Sequence, residues 1–200
     1  MSSYPRYKRK ALLLNKQNKE ILFSGYFCPM SQPVITPATP ADISALDQLV
    51  NSAYRGDSSR KGWTTEADLL GGIRTDEAGL QAMLDKPDAT ILTYKTDGQL
   101  VGCVYLERKG DDLYLGMLTV APELQTAGIG RTLLEAAENQ ARAQQCRVIT
   151  MTVIPQRTEL LAWYERRGYH PTGETQPFPD DPRFGLPKVP LSFIVMEKVL

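Results

Sequence analysis

Apolar residues in this chain either run together in short blocks or recur at helical spacing, and glycine, proline and Asp-Gly pairs mark the joints between them. Residues 99–106 (QLVGCVYL) and 113–120 (LYLGMLTV) are rich in β-branched and aromatic side chains, and Lys109-Gly110-Asp111-Asp112 lies between them. They predict a hairpin of buried strands. Asp97-Gly98, after residues 89–96, predicts a second hairpin turn, because Asp-Gly accepts the positive φ that two-residue turns require. Further strands are expected at 34–36, 147–154 and 191–199. Helical spacing appears in Ile43, Leu46, Leu49, Val50 and Ala53, and again in Ile129, Leu133, Leu134, Ala136, Ala137 and Ala141. A third helix, 157–167, carries Leu160, Leu161 and Tyr164 on one face and stops at Gly168.

The joint at residues 115–130 (LGMLTVAPELQTAGIG) is the most informative. A strand ends at Pro122, a turn follows with Gln125, Gly128 and Gly130, and a helix begins. Such a junction gathers unpaired backbone N–H groups and the positive end of a helix dipole, which suits phosphate. Glycine there lets phosphate oxygens reach the amides. The dinucleotide fingerprint would need a third glycine where Leu133 stands and an acidic residue about 20 positions on, and both are missing. A Walker loop would need Gly-Lys-Ser/Thr, and the chain has Gly130-Arg131-Thr132.

The spacing Q-x-x-G-x-G resembles the pyrophosphate-binding segment of the GNAT superfamily of N-acetyltransferases. A second match is the helix end Ala162-Trp163-Tyr164-Glu165-Arg166-Arg167-Gly168-Tyr169, with a tyrosine four residues before a glycine-aromatic pair. The resemblance covers roughly residues 34–200. It implies an α/β (α+β) GNAT fold: a mixed, mostly antiparallel sheet of six to seven strands, a splayed strand pair and flanking helices. It also implies acetyl-CoA as cosubstrate, held by Leu118, Thr119 and Val120 and by Gln125, Thr126, Ala127, Gly128, Ile129, Gly130 and Arg131. A backbone N–H within 118–120 is the expected oxyanion donor, with neighbouring amides pairing to pantetheine like an added strand. Tyr164 is the candidate general acid for the departing thiolate; packing beside the sulfur is the alternative. Many family members carry an asparagine seven residues before this tyrosine. Here Arg157 stands there, open to a cofactor phosphate or the Glu159 region, and the asparagine's role is not carried over.

The acceptor side is expected in residues 42–84, where Thr65 is positioned to cap a helix carrying Glu66 and Asp68. An amine acceptor must lose a proton before attack. Glu66, Asp68 and Glu107 are candidate bases, with Glu66 preferred. Trp63 is either a wall of the substrate pocket or a packing residue. The proline-rich stretch 171–190 reads as a long loop that either borders the pocket, with Phe178, Arg183 and Phe184 as contacts, or passes over the surface. His170, the chain's single histidine, reads as structural.

Length, charge and cysteines set outer bounds. The 200 residues suit one domain, and a formal net charge of zero gives no case for nucleic acid. Residues 1–29 hold six Lys/Arg against one Glu, leaving 17 basic and 22 acidic residues from Met30 onward. That acidic balance favours a cationic or amine substrate. Residues 1–29 are read as a flexible basic extension and 30–200 as the acetyltransferase domain. Cys28, Cys103 and Cys146 fit free thiols in a reducing cytoplasm. No apolar run reaches the roughly 18 residues of a membrane span. The resulting expectation is acetyl transfer to a primary amine of a small molecule by a cytoplasmic monomer or homodimer. A protein lysine or N-terminal acetyltransferase and a non-catalytic acetyl-CoA sensor are the alternatives.

Overall fold

The computed structural model describes residues 32–200, and for Phe184 the backbone only. The proposed basic extension lies outside the described residues. A seven-stranded sheet runs in the order β1-β3-β4-β5-β6-β9-β7. Its members are β1 (Val34–Pro37), β3 (Ala89–Thr96), β4 (Gln99–Lys109), β5 (Asp112–Val120), β6 (Val148–Val153), β7 (His170–Pro177) and β9 (Ser192–Val199). Every pairing is antiparallel except β5 with β6. A two-stranded ladder joins β2 (Leu70–Gly71) to β8 (Leu186–Pro187).

The central strands are buried on both faces, which is why their sequences run apolar without alternation. Ile91, Cys103, Tyr105 and Met117 pack beneath α1 (Ile43–Tyr54) and α3 (Glu77–Leu84). A short α2 (Gly56–Ser59) follows α1. Leu92, Val104, Leu106 and Leu115 face the other way, toward α4 (Ile129–Ala143) and Tyr164 of α5 (Thr158–Glu165). Gly102 lets α4 lie close to β4: a Cβ there would sit 3.0 Å from both Ile129 and Leu133.

Two irregularities open the sheet. The β4–β5 register slips between Cys103↔Thr119 and Tyr105↔Gly116, and Met117 takes φ +49° at this bulge. The β5–β6 pairing covers only Asp112–Tyr114 against Val148–Thr150. Past Tyr114 the two strands diverge, leaving a gap with β5 amides on one side.

Three expectations need correction. Thr65 caps no helix; its Oγ1 accepts from the Ala67 amide at 3.1 Å and pairs with Ser59 Oγ at 2.6 Å, closing turns that run into β2. The segment Arg55–Lys61, too polar to show helical spacing, contains α2. The supposed loop 171–190 begins as strand β7, which pairs with β9 although every one of its residues is exposed. An edge strand with no buried face carries no apolar signal.

Candidate functional site

The glycine turn forms as its sequence requires. Gly128 caps α4 with φ +85°, a left-handed conformation that glycine adopts without strain, and nothing lies within 4 Å of where its Cβ would be. The N-terminus of α4 therefore opens on space at Gly128, while Trp163 and Val120 lie 3.6 and 3.7 Å from where a Cβ of Gly130 would be. That space is a cavity of about 560 Å³ lined by Val120, Gln125, Thr126, Gly128, Gly130 and Arg131 on one side. Trp63, Trp163, Arg166 and Arg167 lie on the other. The Arg167 guanidinium stacks 3.6 Å from the centre of the Trp163 ring and donates to the Trp163 carbonyl at 2.7 Å.

A second cavity, of about 600 Å³, fills the gap between the diverging strands. Its walls include Met117 of the bulge, Thr150 and Thr152 of β6, Phe193 of β9, and the charged residues Glu66, Arg74, Glu107, Lys109 and Arg157. Five residues line both cavities: Tyr54, Leu118, Arg157, Leu160 and Tyr164.

Tyr164 thus stands at the junction, 5% exposed and wedged between Trp163 and Tyr169 with ring centroids 5.1 and 5.8 Å away. Burial pushes its phenol pKa well up from an ordinary value that already lies far above neutral. Tyr54 donates to the Leu118 carbonyl at 2.8 Å, tying α1 to the bulged strand. The Ala121 amide bonds back to Val101 of β4. Alternation along an extended strand then turns the Val120 and Leu118 amides away from β4 and toward the gap.

Beneath the junction lies a buried ion cluster. Glu66 accepts from Arg55 Nη1 at 2.5 Å through one carboxylate oxygen and from Arg157 Nη1 at 2.8 Å through the other. Arg157 also donates to the Thr64 carbonyl at 2.6 Å. Arg157 accordingly pairs with neither a Glu159 partner nor the glycine-turn side chains; it anchors the 64–66 segment. Glu66 lines the strand-gap cavity with both oxygens engaged by guanidinium protons.

The other candidate bases are also committed. Asp68 lies outside both cavities, paired with Arg60 at 2.6 Å, and this guanidinium holds its carboxyl below the usual range. Burial would raise the Glu107 carboxyl, but hydrogen bonds from Lys86 and Tyr105, at 3.0 and 2.9 Å, outweigh it and leave the pKa lowered.

Gln125, which lines the glycine-turn cavity, is also tied to the segment opposite. Its Oε1 accepts from the Trp63 and Thr64 amides at 2.8 and 3.3 Å, and its Nε2 donates to Thr64 Oγ1 at 2.7 Å. The side chain clamps the 62–64 segment to the glycine turn, and Gly62 makes room for it, since a Cβ there would lie 2.5 Å from Oε1. Trp63 consequently lines the glycine-turn cavity and not the strand-gap cavity. Thr119 and Ile129 point into the protein and Ala127 outward, so these three can reach the cavity only through their backbones. Phe178 stacks on Phe193 with centroids 5.2 Å apart, and Phe193, Pro177 and Pro179 form the wall in its place. Arg183 is held by Asp181 outside both cavities. Sequence reading missed Tyr54, Arg55 and Arg74. The one available signal was for Tyr54, an aromatic ending the apolar face of α1.

Among the described residues no helix is long and apolar enough to cross a membrane, and no group of His, Cys, Asp and Glu could hold a metal ion.

Solved N-acetyltransferase structures share the fold. One is a ribosomal-protein-alanine N-acetyltransferase from Brucella melitensis (TM-score 0.64, 22% identity, 84% of this chain and 99% of that one). Another is the PaiA N-acetyltransferase from Thermoplasma acidophilum in complex with coenzyme A (TM-score 0.62, 18% identity, 84% and 99%). A curated relative, an IAA acetyltransferase from Azospirillum brasilense, is 29% identical over 101 residues, or 50% of this chain. The match spans 66% of that relative's length. The acetyltransferase (GNAT) domain model matches residues 70–179, more than half of the chain. The chain therefore belongs to the GNAT acetyltransferase family and is an acyltransferase, and the family takes its acetyl group from acetyl-CoA.

Proposed function

We propose that the protein transfers an acetyl group from acetyl-CoA to the primary amine of a small molecule, with acetyl-CoA in the glycine-turn cavity and the acceptor in the strand-gap cavity. The observation that carries this reading is the meeting of the two cavities at Tyr164. The residues present suit the cosubstrate. Open space over Gly128 admits a pyrophosphate to the first-turn amides of α4, Arg131, Arg166 and Arg167 offer charge for phosphates, and Trp63 and Trp163 offer apolar faces. Acetyl-CoA supplies the thioester whose carbonyl accepts the amine.

This chain's part is to orient, to stabilise charge and to deliver a proton. The Leu118 and Val120 amides face the gap where an oxyanion develops. Tyr164 holds a proton beside the junction and donates it to the leaving thiolate. Glu66 serves as the counter-ion that seats Arg157 and the 64–66 segment, in place of the base role expected from its position in the sequence. Proton removal from the amine falls to water, since Glu66, Asp68 and Glu107 are all engaged by cations.

The acceptor cavity is walled by Gln176, Pro177 and Pro179 at the end of β7, which confines it and favours a compact acceptor over a protein chain. Release of free coenzyme A across a panel of amino acids, polyamines, aminoglycosides, lysine peptides and alanine-starting peptides tests this. Turnover with a small amine is the expected outcome. Turnover with peptides alone would assign a protein substrate, and acetyl-CoA binding without turnover on any member would favour the sensor.

A further inference from the structure

The charge lining the strand-gap cavity points to more than an amine. Five ionisable residues other than tyrosine line it: Glu66, Glu107, Arg74, Lys109 and Arg157. Cations outnumber acids on the wall, and each acid has a further cation behind it. Glu66 is bound by Arg55 as well as Arg157, and Glu107 by Lys86 as well as Lys109. Arg74 differs from the rest. It lies half-buried with its guanidinium 5.6 Å from the centre of the Tyr54 ring, and among the described residues it forms no ion pair. A guanidinium held against an aromatic face keeps its edge donors free for a planar anion.

From this we infer that the acceptor is an α-amino acid, or a close analogue carrying a carboxylate beside its amine, and that Arg74 binds the carboxylate. The inference rests on the acetyl-transfer reading for the position of the amine. Tyr54, whose ring centre lies 5.6 Å from the Arg74 guanidinium, belongs to the junction that also holds Tyr164. An amine at the junction that Tyr54 lines and an anion held by Arg74 beside the same Tyr54 ring fit one compact molecule that carries both groups, as an α-amino acid does. The apolar wall of Phe193, Pro177 and Pro179 then faces the acceptor's side chain. The surplus positive charge contributes to reaction as well as binding. A like charge disfavours the ammonium form, so the field lowers the amine's pKa where no carboxylate is free to take its proton. The same field repels a polyamine. The acidic balance of residues from Met30 onward, which suggested a cationic substrate, is therefore reversed locally at this cavity.

Binding of the acetylated products separates this inference from the reading beneath it, because it needs no acetyl-CoA. N-acetyl amino acids with aliphatic, aromatic and polar side chains, and the corresponding carboxamides, are titrated calorimetrically into the wild-type protein and into Arg74→Gln and Arg74→Lys. At least one carboxylate is expected to bind roughly 10- to 100-fold more tightly than its amide, the range set by a charge-assisted hydrogen bond. Arg74→Gln should erase that preference and Arg74→Lys restore part of it. Equal binding of acid and amide, no binding of any carboxylate, or a preference that survives in Arg74→Gln would each overturn the assignment. Acetyl-CoA affinity, measured on the same preparations, is expected to stay within about twofold in the variants, because Arg74 does not line the glycine-turn cavity. Loss of acetyl-CoA binding in the wild type would instead strike the acetyl-transfer reading and leave the carboxylate result to stand by itself.

Discussion

Tyr164 is the proposed general acid, and burial raises further the pKa of a phenol that, as in any tyrosine, is already protonated at neutral pH. Its neighbours in sequence, Trp163 and Arg167, stack together and form the wall behind it. Replacing Tyr164 with Phe removes the hydroxyl and little of the packing. The expected result is a fall in kcat of about 10²- to 10⁴-fold, the usual contribution of a general acid. Steady-state kinetics with a good acceptor, alongside a direct measurement of acetyl-CoA affinity, checks this. Affinity should change little, and near-full turnover in Tyr164→Phe would remove the acid role. Tyr164 was legible from its place before Gly168 and Tyr169. Arg74 was not, because its significance lies in its place on the cavity wall beside the Tyr54 ring, with no ion pair among the described residues, which only the folded chain can reveal. Glu66 illustrates the opposite difficulty. Its sequence neighbours suggest a helix start, but its partners Arg55 and Arg157 lie 11 and 91 residues away.

At the scale of elements, the glycine turn and the helix it starts were readable because a backbone requirement fixes the residue type. Gly128 can be tested on that ground. No atom would touch an alanine methyl at this position, so any effect of Gly128→Ala comes from the left-handed φ of +85°. The cost is about 1–2 kcal/mol if the turn holds its shape. Chemical denaturation should show that loss, and calorimetry should show weaker acetyl-CoA binding as the first turn of α4 relaxes. Unchanged values for both would mean the conformation is not needed. The hairpins and the strand–turn–helix–strand unit were equally plain, since buried strands carry continuous apolar runs. Strand β7, His-Pro-Thr-Gly-Glu-Thr-Gln-Pro, offered no such pattern, and backbone pairing with β9 is what orders it. The β5–β6 gap was likewise invisible in the sequence, because divergence of two strands depends on where their pairing stops.

For the molecule as a whole, the buried acids of weak acidity set an alkaline limit. Burial pushes the Cys103 thiol from 9.0 up to about 12 and the Tyr105 phenol from 10.0 up to about 12. Tyr54, Tyr164 and Tyr169 are displaced in the same direction by burial. In the unfolded chain these groups ionise at their ordinary values, while the folded chain keeps them protonated. Stability from this source is complete below pH 9 and declines as pH rises from there toward 12. Thermal melts across that window should fall steadily, with phenolate absorbance from the buried tyrosines appearing together with loss of the fold. Phenolate absorbance from all of them at their ordinary pH, with the fold intact, would contradict this.

The five residues common to both cavities, Tyr164 among them, amount to a partition between them. Two reactants that approach such a partition from opposite sides do not share a doorway. On the proposed seating of the two substrates, coenzyme A would withdraw past Gly128 and the acetylated acceptor through the strand gap, so neither product would have to wait for the other. Cys103 is buried and lines neither cavity, so it offers the acetyl group no resting place on the proposed path.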